Sequence, residues 1–191
     1  MINEPIEKWG PLAVLAGTWE GNKGDDVAPS DDRGTEKNLY RERMVFTPIS
    51  PVNNHEQTLY GLRYSTTAWR IGETEPFHED LGYYLWDPKV KQVYRCFTVP
   101  RGVAVLAGGD TEASAKEFHL SADVGSPTFG ICSTPFLDRE FKTIRYELKI
   151  VVHDRDGFSY ESDTQIQMPG KPGAKGLFHH IDKNRLKRVE S

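Results

Sequence analysis

Residues 141–168, FKTIRYELKIVVHDRDGFSYESDTQIQM, carry the clearest pattern in the chain. Ile144, Tyr146, Leu148 and Ile150 fall on every second position with Arg145, Glu147 and Lys149 between them. Phe158, Tyr160, Ile166 and Met168 keep the same spacing after the turn. Successive side chains of a strand point to opposite faces, so each half of this stretch presents one apolar and one wet face. Between the halves, Asp154-Arg155-Asp156-Gly157 is made of residues that favour tight turns. Two long antiparallel strands joined by a hairpin are predicted.

Working outward, similar runs occupy Gly17–Gly21, Asn38–Pro48, Gln57–Ile71, Phe77–Asp87, Gln92–Val99, Val103–Gly108, Glu117–Val124 and Gly176–Val189. With Phe141–His153 and Gly157–Met168 they make about ten. Connectors such as Asp87-Pro88 and Gly108-Gly109-Asp110 suit hairpins rather than helical crossovers. A meander of this length twists and curls, and closing it removes both exposed edges. The expectation is an all-β fold: a closed antiparallel meander β-barrel of about ten strands, one domain over residues 1–191, with room for a small apolar ligand. In residues 1–16, Ile6, Trp9, Leu12, Val14 and Leu15 have mixed helical spacing ahead of Gly17, which predicts a short N-terminal helix capping one end. Residues 22–37 are rich in Asp, Gly and Pro and read as a mobile acidic loop. Gly125–Asp138 is apolar enough to fold over the barrel mouth, and Gly170–Gly176 reads as a flexible turn.

A net charge of −4, with Lys and Arg scattered among Asp and Glu, argues against nucleic acid as a partner. No run of 18 apolar residues could span a bilayer, and Met1-Ile2-Asn3-Glu4 lacks the basic and apolar regions of a secretion signal. A cytoplasmic protein that does not enter membranes is expected. Cys96 and Cys132 have no metal-like spacing and read as reduced, semi-buried thiols. Hydrolase and nucleotide-binding motifs (GxSxG, the P-loop, HExxH) are missing, and the carboxylate pairs Asp25-Asp26 and Asp31-Asp32 read as parts of a solvated loop, so no catalytic residue is assigned.

Leu15-Ala16-Gly17-Thr18-Trp19-Glu20-Gly21, followed by Gly24, resembles the first-strand signature of the nitrobindin family of haem-binding β-barrels. Phe77-His78-Glu79-Asp80-Leu81-Gly82-Tyr83 resembles that family's fourth strand, and Phe178-His179-His180-Ile181 resembles the C-terminal strand that supplies the iron ligand. The resemblance implies haem b held by one C-terminal histidine, with the opposite iron face open to a diatomic gas or to peroxynitrite. An activity as a peroxynitrite isomerase would depend wholly on that haem. Adjacent histidines on a strand face opposite ways, so only one of His179 and His180 can point inward. His180 is favoured as the metal ligand because Phe178 shares its face. His78 is expected in the same pocket, Met168 as a contact to a porphyrin edge, and either Thr18 or Trp19 inside the barrel, with Trp19 as core. Two other functions suit the same barrel: a carrier of an apolar small molecule without haem, shaped like fatty-acid-binding proteins or lipocalins, and a barrel filled by its own rings that acts only through its surface. Nothing in the chain rules out a homodimer.

Overall fold

The computed structural model describes residues 4–170 and 176–189. A 3-10 segment, Ile6–Leu15, leads into twelve strands. They are β1 (Gly17–Pro29), β2 (Thr35–Pro48), β3 (Val52–Asn54), β4 (Gln57–Arg70), β5 (His78–Asp87) and β6 (Gln92–Val99), then β7 (Val103–Asp110), β8 (Glu117–Val124), β9 (Gly130–Ser133), β10 (Lys142–Asp154), β11 (Gly157–Gln167) and β12 (Leu177–Arg188). One short helix, α1 (Pro135–Glu140), precedes β10. Antiparallel pairing runs around the molecule except where β8 meets β9 in parallel, and the pairing of β2 with β4, from Tyr40↔Arg70 to Pro48↔Leu62, closes it. Eleven strands make the closed barrel, and β3 pairs only with the start of β4. All ten predicted strands are present, and β3 and β9 are additional.

The first strand corrects one expectation. Residues 22–37 are not a loop: β1 runs to Pro29, β2 starts at Thr35, and only residues 30–34 turn. The register slips between Gly21 and Gly24, so the inward positions pass from Trp19 and Gly21 to Gly24 and Asp26. Such a bulge reverses the parity of everything after it. It gives Asp26, which reads as a solvated loop residue in sequence, a buried inward position, and Asn38, its partner across on β2, is buried as well. Gly24 has no side chain because the Tyr40 ring from β2 lies where a Cβ would stand. The expected turn at Gly170–Gly176 lies largely outside the described residues, as do the first three positions of the N-terminal cap. Cys96 is half-buried, but Cys132 is exposed rather than semi-buried.

The N-terminal segment does cap one end, as 3-10 turns broken at Gly10 (φ 55°) rather than as one helix. Trp9 donates its indole N–H to the Gly61 carbonyl at 2.8 Å, and Leu12 and Leu15 are fully buried. Trp19, also fully buried, donates to Leu15 O at 2.7 Å and meets Phe158 edge-on with centroids 4.8 Å apart. With Trp86, Leu62, Val93, Phe118 and Leu186 these side chains fill the capped half of the barrel. The interior is therefore filled by its own rings at one end only. Among the described residues no helix is long and apolar enough to cross a membrane.

Candidate ligand cavity

Above the packed half lies a cavity of about 690 Å³, within the usual size range of small-molecule sites. Phe97, Val99, Val103, Val105, Leu148 and Ile150 give it a continuous apolar wall. Residues from Gly125–Asp138 and just beyond do reach the mouth, where Phe136, Leu137 and Phe141 line it. The rest of the lining carries buried polar side chains in three groups, two on β1, β2, β11 and β12 and a third, deeper one drawn from β4, β5, β6 and β10.

Nearest the mouth is His180 on β12. Its Nε2 lies 2.7 Å from Asp26 Oδ1, and Asp26 Oδ2 accepts a hydrogen bond of 3.0 Å from Asn38 Nδ2. Asn38 Oδ1 in turn accepts from Arg70 Nε at 2.8 Å. The Asp26 side chain is 5% exposed and that of His180 32%. Burial opposes ionisation of Asp26, but the hydrogen bond and charge of His180 and the bond from Asn38 outweigh it and hold the carboxyl below its usual range. An imidazole with one ring nitrogen held by a carboxylate is the arrangement that fixes tautomer and orientation in metal-ligating histidines.

One row deeper, β2, β11 and β12 bring together Tyr40, Glu42, Tyr160, Asp182 and Asn184. The Tyr40 and Tyr160 hydroxyls lie 2.7 Å apart, Tyr40 donates a short bond to Asp182 Oδ1, and Tyr160 reaches Asp182 Oδ2 at 3.2 Å and Glu42 Oε2 at 3.1 Å. Asn184 Nδ2 donates to Glu42 Oε1 at 2.7 Å. Two phenol protons cannot fill four oxygen–oxygen contacts, so the cluster accommodates protons on its carboxyls. Burial first, and then the neighbouring Asp182 carboxylate, push Glu42 up to about 8. Burial raises Asp182 as well.

The third group centres on Arg95 of β6, whose side chain is 9% exposed. Its Nε donates to the Tyr64 hydroxyl at 3.0 Å, its Nη1 to the Tyr146 hydroxyl, and its Nη2 to the Asp80 carboxylate at 3.3 and 3.4 Å. Four rings surround the guanidinium, with Phe97 nearest at 4.1 Å and Tyr64, Tyr84 and Tyr146 within 5.7 Å. Asp80 also meets His78 Nε2 at 3.2 Å.

The sequence-predicted residues are distributed as follows. His180 and His78 both line the cavity. His179 points outward, with a side chain 52% exposed and Nδ1 2.7 Å from Asp163 Oδ2. Thr18 is not on the cavity wall: Trp19 points inward, which turns its neighbour away. Met168 and Phe178 are buried but do not line the cavity either; they pack with Ile166, Val27 and Phe141 in a small separate cluster near the mouth. Sequence reasoning missed Asp26, Glu42, Arg95 and Asp182. For Asp182 a signal existed, since it shares strand parity with His180 and Leu186. Among the described residues no group of three or more His, Cys, Asp or Glu side chains could hold a bare metal ion.

A closed barrel packed at one end and hollow at the other is a small-molecule-binding barrel. More particularly, the chain belongs to the THAP4-like, heme-binding β-barrel domain family, whose model matches residues 8–188. No curated protein matches it. Among solved structures, the crystal structure of Rv2717c from M. tuberculosis is similar at 20% identity, covering 98% of this chain and 99% of that one with a TM-score of 0.66, which shows a shared fold. A β-barrel-like protein of the DUF1849 domain of unknown function from Brucella abortus shares 9% identity over 91% of this chain and 97% of that one, with a TM-score of only 0.24.

Proposed function

We propose that the cavity holds haem b with His180 as the axial ligand. The observation that carries this reading is that His180 lines the cavity, backed by a buried carboxylate, while its neighbour His179 faces out. The residues fit the group: an imidazole suits haem iron, the volume and apolar wall suit a flat macrocycle, and Asp26 supplies the second-shell partner that such histidines commonly have. Bound haem would supply the iron chemistry, on a diatomic gas or peroxynitrite, and this chain would set the axial ligand, polarity and access. His180 would hold the iron, Asp26 and Asn38 would hold the imidazole, and Phe136 and Phe141 at the mouth would limit water entry. His78 would stand in the pocket without touching the iron.

The test is titration of the purified protein with hemin, followed by absorbance. A Soret band that is lost in His180→Ala and kept in His179→Ala is the expected result. Equal bands in the wild type and both variants would remove histidine ligation at β12. A second reading, a carrier of an apolar molecule without haem, is favoured by one observation: the long apolar wall of the cavity needs no metal. A cavity that takes up an apolar probe but not hemin would support it.

A further inference from the structure

The floor of the cavity has hydrogen-bond donors without acceptors. Arg95 has five N–H groups, and among the described residues they meet four acceptor atoms: the Tyr64 and Tyr146 hydroxyls and the two oxygens of Asp80. The contact to Asp80 is long and is shared with His78. On the neighbouring strand Tyr84 stands directly across from Arg95. The Tyr84 side chain is 96% buried and lines the cavity, yet its hydroxyl has no hydrogen-bond partner among the described residues. A second buried hydroxyl on this wall, Thr66 Oγ1, is also unpartnered, and Thr66 stands across from Asp80. Donors that open only onto the cavity have room for an acceptor that the described residues do not supply, and the enclosed Thr66 hydroxyl lacks one altogether.

We propose that Arg95 and Tyr84 form an anion subsite on the cavity floor, which takes the carboxylate of a ligand whose apolar body fills the space above. A guanidinium offers donors only and a phenol hydroxyl can add one more, which suits an acceptor with two oxygens. Nearby charge does not bar an anion. Burial pushes Glu42 up to about 8 and raises Asp182 as well, and Asp80, which burial opposes but the Arg95 charge holds below its usual range, is the carboxylate that touches Arg95. The apolar wall of Val99, Val103, Val105, Leu148 and Ile150 leads from the mouth towards this floor. The subsite does not depend on ligation by His180. Its carboxylate can come from a side chain of haem or from a linear apolar acid.

Calorimetric titration with laurate and with 1-dodecanol, and absorbance titration with hemin and hemin dimethyl ester, distinguish these sources. If the source is a linear acid, laurate binds the wild type at least about tenfold more tightly than dodecanol does. Tyr84→Phe, which keeps the ring, weakens laurate about tenfold, as expected for one hydrogen bond to a charged group. Arg95→Met weakens it further. Asp80→Asn, which removes the competing carboxylate, strengthens it, and a merely structural role for Asp80 would not do that. If the source is haem, the same variants change the affinity for hemin and leave the diester unmoved. Should Arg95→Met fail to fold, Tyr84→Phe and Asp80→Asn carry the test alone. The proposal is overturned if laurate and dodecanol bind alike, or neither binds, and hemin and its diester also bind alike in the wild type and in Tyr84→Phe. Hemin binding that needs His180 but ignores Tyr84 and Asp80, together with laurate that binds no better than dodecanol, would sink the subsite and leave the haem reading standing; laurate or hemin binding that needs Tyr84 but ignores His180 would do the opposite.

Discussion

Glu42→Gln is the substitution whose effect the structure specifies most fully. In the fold Glu42 is pushed from an ordinary 4.5 to about 8, by burial and by the Asp182 carboxylate. Between those values the folded chain binds a proton that the unfolded chain has released, so stability falls as pH rises, by about 1.4 kcal/mol per pH unit. The contribution is fully present below pH 4.5, and its loss is complete above about pH 8. The total is on the order of 5 kcal/mol. Glutamine stands in for the protonated acid: its carbonyl can accept from Asn184 and its amide can donate to the Tyr160 hydroxyl, where the carboxyl now makes contacts of 2.7 and 3.1 Å. It does not titrate. Urea unfolding of both proteins at pH 5, 6.5 and 8 should therefore show Glu42→Gln gaining on the wild type as pH rises, by on the order of 4 kcal/mol across the range. Asp182, raised in the same direction, is present in both proteins and largely cancels in the difference. Two stability curves that stay parallel from pH 5 to 8 would refute the protonated Glu42 and the proton count behind it.

Trp19→Ala should cost about 4 kcal/mol in urea unfolding, because a fully buried indole, its bond to Leu15 O and its contact with Phe158 are all lost. A cost under about 1 kcal/mol would show that the capped half tolerates a hole. Gly24→Ala places a methyl group on the Tyr40 ring, so it should displace Tyr40 from Asp182 and Tyr160 and destabilise by roughly 2–3 kcal/mol; tyrosine fluorescence and unfolding midpoints that match the wild type would contradict that packing. Asp26, held below its usual range mainly by His180 against the cost of burial, contributes stability that is present above an unfolded value near 3.8 and is lost as pH falls through the lower folded value. Asp26→Asn should accordingly be less stable than the wild type at pH 6 and lose less on acidification below pH 4, with an unchanged acid limb counting against the pair.

The barrel was legible because alternation and turn chemistry act locally: the hairpin of β10 and β11 and the exact extents of β6 and β8 follow from which residues fit a pleated, half-buried surface. β9 and α1 were not, since four residues pairing with β7 and β8 and six residues without a buried face leave no period to read. The inward histidine followed from parity along β12. Most of the polar wall did not, for two reasons. Alternation assigns charged residues to the wet face, and Glu42, Asp80, Arg95 and Asp182 break that assignment because they have one another and the tyrosines as partners. In β1, moreover, the bulge between Gly21 and Gly24 shifts parity, so counting in twos from Trp19 arrives at Asp25 instead of Asp26. A carboxylate 154 positions from its histidine has no local signature at all.

The polar groups also bear on how the first and last strands find each other. β1 and β12, the first and last strands, pair side by side, and an apolar lining alone would accept β12 displaced by two positions, since Phe178, His180, Asp182, Asn184 and Leu186 keep the same facing at every even shift. The oxygen and nitrogen partners would not accept it: such a slide would set His180 against Tyr40 and Tyr160, strand Asp26, and move Asn184 off Glu42. Each misplaced group would be left dry and unbonded at a cost of about 1–3 kcal/mol. The same side chains that make the chamber hospitable to a guest thus serve as a lock and key for the seam, admitting a single alignment when the cylinder shuts.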